Sequence, residues 1–158
     1  MAYSVPSTKA VGDTLTAADW NSYVRDNAID LAARLSAISY IVQGAEFTTT
    51  STSYVDMTGL TTNLTITRQS TILMIVSGNA KIDTALYSVV FKGVINGVSD
   101  SKEVSSQFEG YVPLSYIYAK TGMTAGTYTV KLQMRTTNAT ITARGASINM
   151  FVVWIPEV

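Results

Sequence analysis

Residues 70–77 read STILMIVS, and near the other end of the chain residues 146–155 read ASINMFVVWI. Both runs are short, bounded by turn signals and rich in β-branched residues, which marks them as strands. A strand facing a core on one side and water on the other alternates apolar with polar residues. These two do not alternate: Leu73, Ile75, Phe151, Val153 and Ile155 form a second apolar row behind the first. One face fills a core, and the other is expected to pack against a partner chain.

The neighbouring sequence repeats the period of two. Leu64 and Ile66 alternate with Thr and Asn, and residues 86–95 are largely apolar. Asn96-Gly97 closes that run with a strong hairpin signal. Residues 98–110 are polar and weakly patterned, a loop or an edge strand with a loop. In residues 112–120 Leu114, Tyr116 and Tyr118 share a core face. In TYTVKLQMR, residues 127–135, Tyr128, Val130, Leu132 and Met134 point inward. Residues 140–143 form a short partner strand, Arg144-Gly145 a turn, and Pro156 stops the last strand. Eight or nine strands at this spacing predict a mainly β fold, an antiparallel sandwich over residues 44–158. The jelly roll is the preferred version, because it leaves an apolar outer face for a partner; a plain sandwich or another barrel stays open.

Composition agrees with such a domain and excludes several functions. The 158 residues suffice for one packed core. Eleven basic and eleven acidic side chains cancel, so nothing favours nucleic acid. There are 22 Thr and 16 Ser but only 14% charged residues, so the solvent faces of the strands are expected to be hydroxyl-bearing. With neither Cys nor His, thiolate chemistry and the commonest zinc ligands are absent, and no metal or cofactor is expected. No secretory signal opens the sequence and no run reaches membrane-spanning length, so synthesis in a cytoplasm without membrane insertion is expected.

Before the sandwich lie two other pieces. Residues 1–15 have no periodicity and only Tyr3, Val5 and Val11 as apolar anchors, the profile of an arm that orders on a partner. Residues 16–43 read as one long helix: Thr16 and Asp19 form a capping box, Leu15 staples to Trp20, and Gly44 ends it. Val24, Ala28, Leu31, Leu35, Ile38 and Val42 recur at alternating intervals of four and three, a coiled-coil seam. The same spacing suits an amphipathic helix lying on a sheet. Self-association is preferred, because the β block reads as self-contained.

The run GDTLTAADWNSYVRDN, residues 12–27, resembles the N-terminal modules of tailed-bacteriophage virion proteins. Leu15, Thr16, Ala17, Ala18, Asp19, Trp20, Asn21, Tyr23, Val24, Arg25, Asp26 and Asn27 carry the likeness. It implies a virion location, with an arm docked on other virion proteins and a helix joining copies. The doubly apolar strands also look like those of the trimeric knobs of the tumour necrosis factor and complement C1q type, whose inner sheet packs around a threefold axis. That second likeness implies a homotrimer and is one of pattern, without a diagnostic motif.

A catalytic site would need carboxylates, Lys, Tyr or Ser in concert. Asp56, Asp83, Asp100, Glu103 and Glu109 are instead scattered over strand ends and turns. A non-enzymatic structural protein of a phage particle, a head decoration, head fibre or tail component, is therefore expected. The alternative is a tail-fibre knob that recognises a host-surface glycan or protein, with Phe108 and Tyr111 as its exposed aromatic candidates.

Overall fold

In the computed structural model, residues 16–20, 25, 28, 38–100 and 102–157 are described. The chain divides into two compact units, Met1–Ala37 and Ile38–Val158. In the first, Ala17–Trp20 form a short α-helix, and Arg25 and Ala28 also have helical backbone. The seam positions Val24, Leu31 and Leu35, and the arm residues Tyr3, Val5 and Val11, lie outside the described residues.

The C-terminal end of the expected helix is corrected. Ser39–Val42 form a strand, β1, so Val42 is a strand residue, Ile38 stands just before it, and neither belongs to a helical seam. Ser-Tyr-Ile-Val supplies the aromatic and β-branched side chains that suit a pleat. The long last strand, β10 (Ala143–Pro156), supplies the partner edge, with Ser39 opposite Val152 and Val42 opposite Asn149. The boundary expected between residues 43 and 44 thus falls between 37 and 38.

Between β1 and β10 run β2 (Phe47–Thr49), β3 (Val55–Ile66), β4 (Ser70–Ile82), β5 (Val89–Ile95), β6 (Val98–Ser99), β7 (Val104–Ser106), β8 (Val112–Met123) and β9 (Gly126–Thr136). All pairings are antiparallel and build two five-stranded sheets. The first has the order β1-β10-β4-β8, with β2 also on β10; the second has β3-β9-β5-β6, with β7 also on β5. From β3 to β5 and again from β8 to β10, successive strands alternate between sheets, so each connection closes the core rather than extending a sheet.

Gly59 lies in a bulge inside β3, where its φ of 82° fits the register shift against β9. One local expectation changes for a tertiary reason. Arg144-Gly145 is not a turn but lies at the start of β10, where it pairs with Thr48 and Phe47 of β2 on one side and with Lys81 and Ala80 of β4 on the other. Residues 98–110 hold two short edge strands, β6 and β7, with Asn96 (φ 51°) and Gly97 (φ 75°) forming the expected tight hairpin.

The core lies between the sheets. Val130, Leu132 and Met134 of β9, Leu114, Tyr116 and Tyr118 of β8 and the inward row Ile72, Met74 and Val76 of β4 are all buried there. A bulge in β10 between Ala146 and Asn149 puts Ser147 at φ 52° and interrupts the ladder. The buried Gln43 repairs it. Its amide nitrogen donates to Gly145 O at 3.1 Å, its amide oxygen accepts the Ile148 N–H at 3.1 Å, and its own backbone N–H donates to Ile148 O at 2.8 Å.

Candidate functional site

The outer side of the first sheet is built from the residues that alternate with the core. In β10 the buried Met150, Val152 and Trp154 leave Phe151, Val153 and Ile155 pointing away; in β4 the buried Ile72, Met74 and Val76 leave Leu73 and Ile75. Register aligns them into rows across the strands. Tyr40, Phe151, Ile75 and Ile117 stand opposite one another in turn, and Val153, Leu73 and Ala119 form the next row.

Exposure is concentrated there. Of nine exposed large apolar side chains among the described residues, five lie on this face: Ile38 (41%), Tyr40 (63%), Val42 (57%), Ile117 (63%) and Ile155 (51%). Leu73, Ile75, Phe151 and Val153 between them are half-buried by their neighbours. A contiguous apolar patch on this scale marks an interaction surface rather than scattered surface leucines.

The second sheet is a control within the same molecule. Its outer side pairs Thr65 with Thr127 at 2.9 Å and Asn63 with Thr129 at 2.9 Å. Asp56 accepts from Lys131 and Gln133, both at 2.7 Å. The two sheets share one core, yet one presents hydroxyls and ion pairs to water and the other presents hydrocarbon.

A charged cluster closes the apolar face at the end where β4 meets the start of β10. Arg144 donates to Glu46 at 3.1 Å and to Asp83 at 3.2 and 3.4 Å. The Lys81 ammonium lies 5.8 Å from the centre of the Tyr111 ring, and the Tyr111 hydroxyl donates to Glu46. That hydrogen bond holds the Glu46 carboxyl below its ordinary range and pushes the Tyr111 phenol up, while Arg144 holds Asp83 down. Each charge has its partner within the chain.

The candidates from sequence are therefore sorted as follows. Leu73, Ile75, Phe151, Val153 and Ile155 come together on one face. Ile38 and Val42, placed in a helical seam by sequence reasoning, join that face. Tyr111 is engaged by Glu46 and Lys81, whereas Phe108 remains 65% exposed. Sequence reasoning missed Tyr40 and Ile117. Ile117 was signalled by being the one large apolar residue out of phase with Leu114, Tyr116 and Tyr118 in residues 112–120.

No known family model matches the chain, and no curated protein matches it in sequence. Some solved structures resemble it at low identity. Latent PorU from Porphyromonas gingivalis is 10% identical over 75% of this chain, with a TM-score of 0.49; the chain spans only 12% of that protein. The carbohydrate-binding module CBM36, solved with calcium and xylotriose, is 12% identical over 70% of this chain and 99% of its own, TM-score 0.37. A pentameric capsid protein from metagenomic phage sequences is 14% identical over 96% of this chain and 81% of its own, TM-score 0.31. At these values the likenesses carry no argument about what this chain binds or builds.

Proposed function

We propose that the chain is a non-enzymatic structural protein of a bacteriophage particle: a jelly-roll knob that assembles as a homotrimer and is displayed on the head or tail. The observation that carries self-association is the asymmetry of the sandwich, apolar on the outer face of β1, β10, β4 and β8 and polar on that of β3 and β9. Covering such a face with a second copy removes apolar surface from water at roughly 25 cal/mol per Å². Closed cyclic symmetry lets every copy be covered in the same way.

The strand orders β1-β10-β4-β8 and β3-β9-β5-β6 support the jelly-roll reading. The virion location rests on the run of residues 15–27, with the arm of Tyr3, Val5 and Val11 docking on other virion proteins. Val24, Ala28, Leu31 and Leu35 continue the association as a helical bundle. A non-enzymatic role is supported by what the sandwich carboxylates do. Glu46, Asp56, Asp83 and Glu103 pair with Arg or Lys, and Asp100 and Glu157 accept hydrogen bonds from Tyr116 and Gly122.

Ile117→Asp tests the reading. At a 63% exposed site in an isolated chain the change is close to neutral, within about 0.5 kcal/mol. In a buried interface it places an unpaired charge against hydrocarbon. The expected light-scattering mass is three chains for the parent and one for the variant, with the sandwich still folded. A monomeric parent at micromolar concentration refutes the assembly. Antibody labelling of intact particles tests the location, and absence from the particle refutes it.

A further inference from the structure

At the end of the sandwich that carries the charged cluster, the loop from β4 to β5 and the loop from β7 to β8 enclose an open cleft of about 660 Å³. Its walls are Ala85, Ser105, Ser106, Phe108, Val112 and Pro113, and Gln107 lies along its edge. Phe108 is 65% exposed, yet its loop is tied down. Ile82 N–H donates to Phe108 O at 3.2 Å, Gln107 Nε2 to Ser88 Oγ at 3.0 Å, and Ala85 N–H to Glu109 Oε1 at 3.3 Å. A large ring held in water on a braced loop is presented rather than left over.

The rest of the lining says what the ring is presented to. The walls carry hydroxyls, one amide and short apolar side chains, with no charged residue among them. Ser105 and Gln107 are exposed along the cleft. A flat apolar platform beside weak, uncharged donors and acceptors suits a molecule with one apolar face and a rim of hydroxyls. An apolar ligand would leave the hydroxyls unpaired. An acidic one would find no cation in the lining. The cleft is also remote from the end where Ser39 begins β1 and Pro156 ends β10.

We propose that this cleft binds a neutral sugar residue, a pyranose that stacks its C–H face on Phe108 and exchanges hydrogen bonds with Gln107 and Ser105. The aromatic contact supplies area and orientation, and the polar groups select for hydroxyls. The site does not depend on the trimer or on the virion location.

The test is an amide NMR titration of the full chain with cellotriose, xylotriose, maltotriose and β-1,4-galactotriose, and with sialyllactose as an acidic comparison. Concentrations reach about 20 mM, enough to detect a millimolar Kd. At least one neutral sugar is expected to shift the amides of Ala85, residues 105–108 and Val112. Phe108→Ala is expected to weaken binding at least tenfold without lowering the melting temperature, since the ring is exposed. Ser105→Ala is a second variant, expected to weaken binding while keeping the platform. No shift with any neutral sugar, shifts only with sialyllactose, or unchanged binding by Phe108→Ala overturns the proposal. Light scattering on the same samples separates the two readings: a monomer that binds sugar refutes the trimer alone, and a trimer that binds none refutes the cleft alone.

Discussion

The Tyr116 hydroxyl, reaching across the core from β8, accepts the backbone N–H of Gly93 in β5 at 3.0 Å. It donates in turn to Asp100 Oδ2 at 2.7 Å, and Asp100 N–H returns to Gly93 O at 2.9 Å. Burial, reinforced by Asp100, pushes the phenol far above its ordinary range, so it stays a donor at any pH the protein meets. Tyr116→Phe keeps the ring but leaves Gly93 N–H buried and unpaired. The expected loss is about 1–3 kcal/mol, read as a lower urea midpoint with an unchanged slope. A midpoint equal to the parent's would mean that this bond contributes nothing to joining the sheets.

Gln43 should be as sensitive, though at the edge of the fold. Gln43→Leu fills similar space but strands the Ile148 N–H and Gly145 carbonyl that the amide satisfies. We expect a cost of about 2–4 kcal/mol. Hydrogen exchange at Ile41 and Val42 should accelerate more than exchange in β9. Uniform acceleration across both sheets would contradict a local repair of the bulge.

The bulge itself gives two substitutions of opposite sign. A Cβ on Gly78 would stand 2.8 Å from Ile148 Cα, a backbone atom that cannot yield, so Gly78→Ala should cost about 1–3 kcal/mol. Ser147 holds φ 52°, which glycine adopts without strain. Ser147→Gly should be neutral or stabilising, by at most about 1 kcal/mol. Thermal unfolding of both variants decides, and a stabilised Gly78→Ala together with a destabilised Ser147→Gly would reverse the account.

Acid should weaken the fold through the surface carboxylates. Tyr111 lowers the pKa of Glu46, Lys131 that of Asp56, and Arg144 that of Asp83. A folded pKa below the unfolded one means that the unfolded chain binds more protons in the window between them. The stability these groups contribute is present above the unfolded values near pH 4 and is lost as pH falls through the folded ones. Melting temperature should therefore be flat from neutrality to about pH 5 and decline below about pH 4. Arg144→Gln should make that decline shallower and raise the Asp83 pKa measured by NMR. A melting temperature that rises below pH 4 would contradict the assignment.

The readable parts of the fold are those decided within a few residues. Double apolarity in residues 70–77 announced an outer face, and Leu73 and Ile75 stand on it. Asn96-Gly97 announced a hairpin. The end of the helix was not readable, because Ile38 and Val42 are four apart, and four residues are both about one helical turn and two strand repeats. What separates the readings is Ile148, 105 residues from Gln43. Gly145 looked like a turn residue because the strands that pair with it, β2 and β4, are distant in sequence. Tyr111 looked free because its partner Glu46 is 65 residues away. The exposed Phe108 was legible as a candidate, but the loop hydrogen bonds that brace it were not.

The entry of β1 beside the exit of β10 determines how the sandwich bears a mechanical load. Ser39 faces Val152 while β10 ends at Pro156, so the two strands leave the fold at the same end and run antiparallel. Tension between residues 38 and 157 peels them apart one ladder pair at a time, a soft response. Tension between residue 38 and the loop of Phe108, at the opposite end, pulls β1 along its own axis and strains all four pairs, and the Gln43 clamp, at once. A knob held through residues preceding β1 and pulled by something bound in the cleft is therefore loaded in its stiff direction.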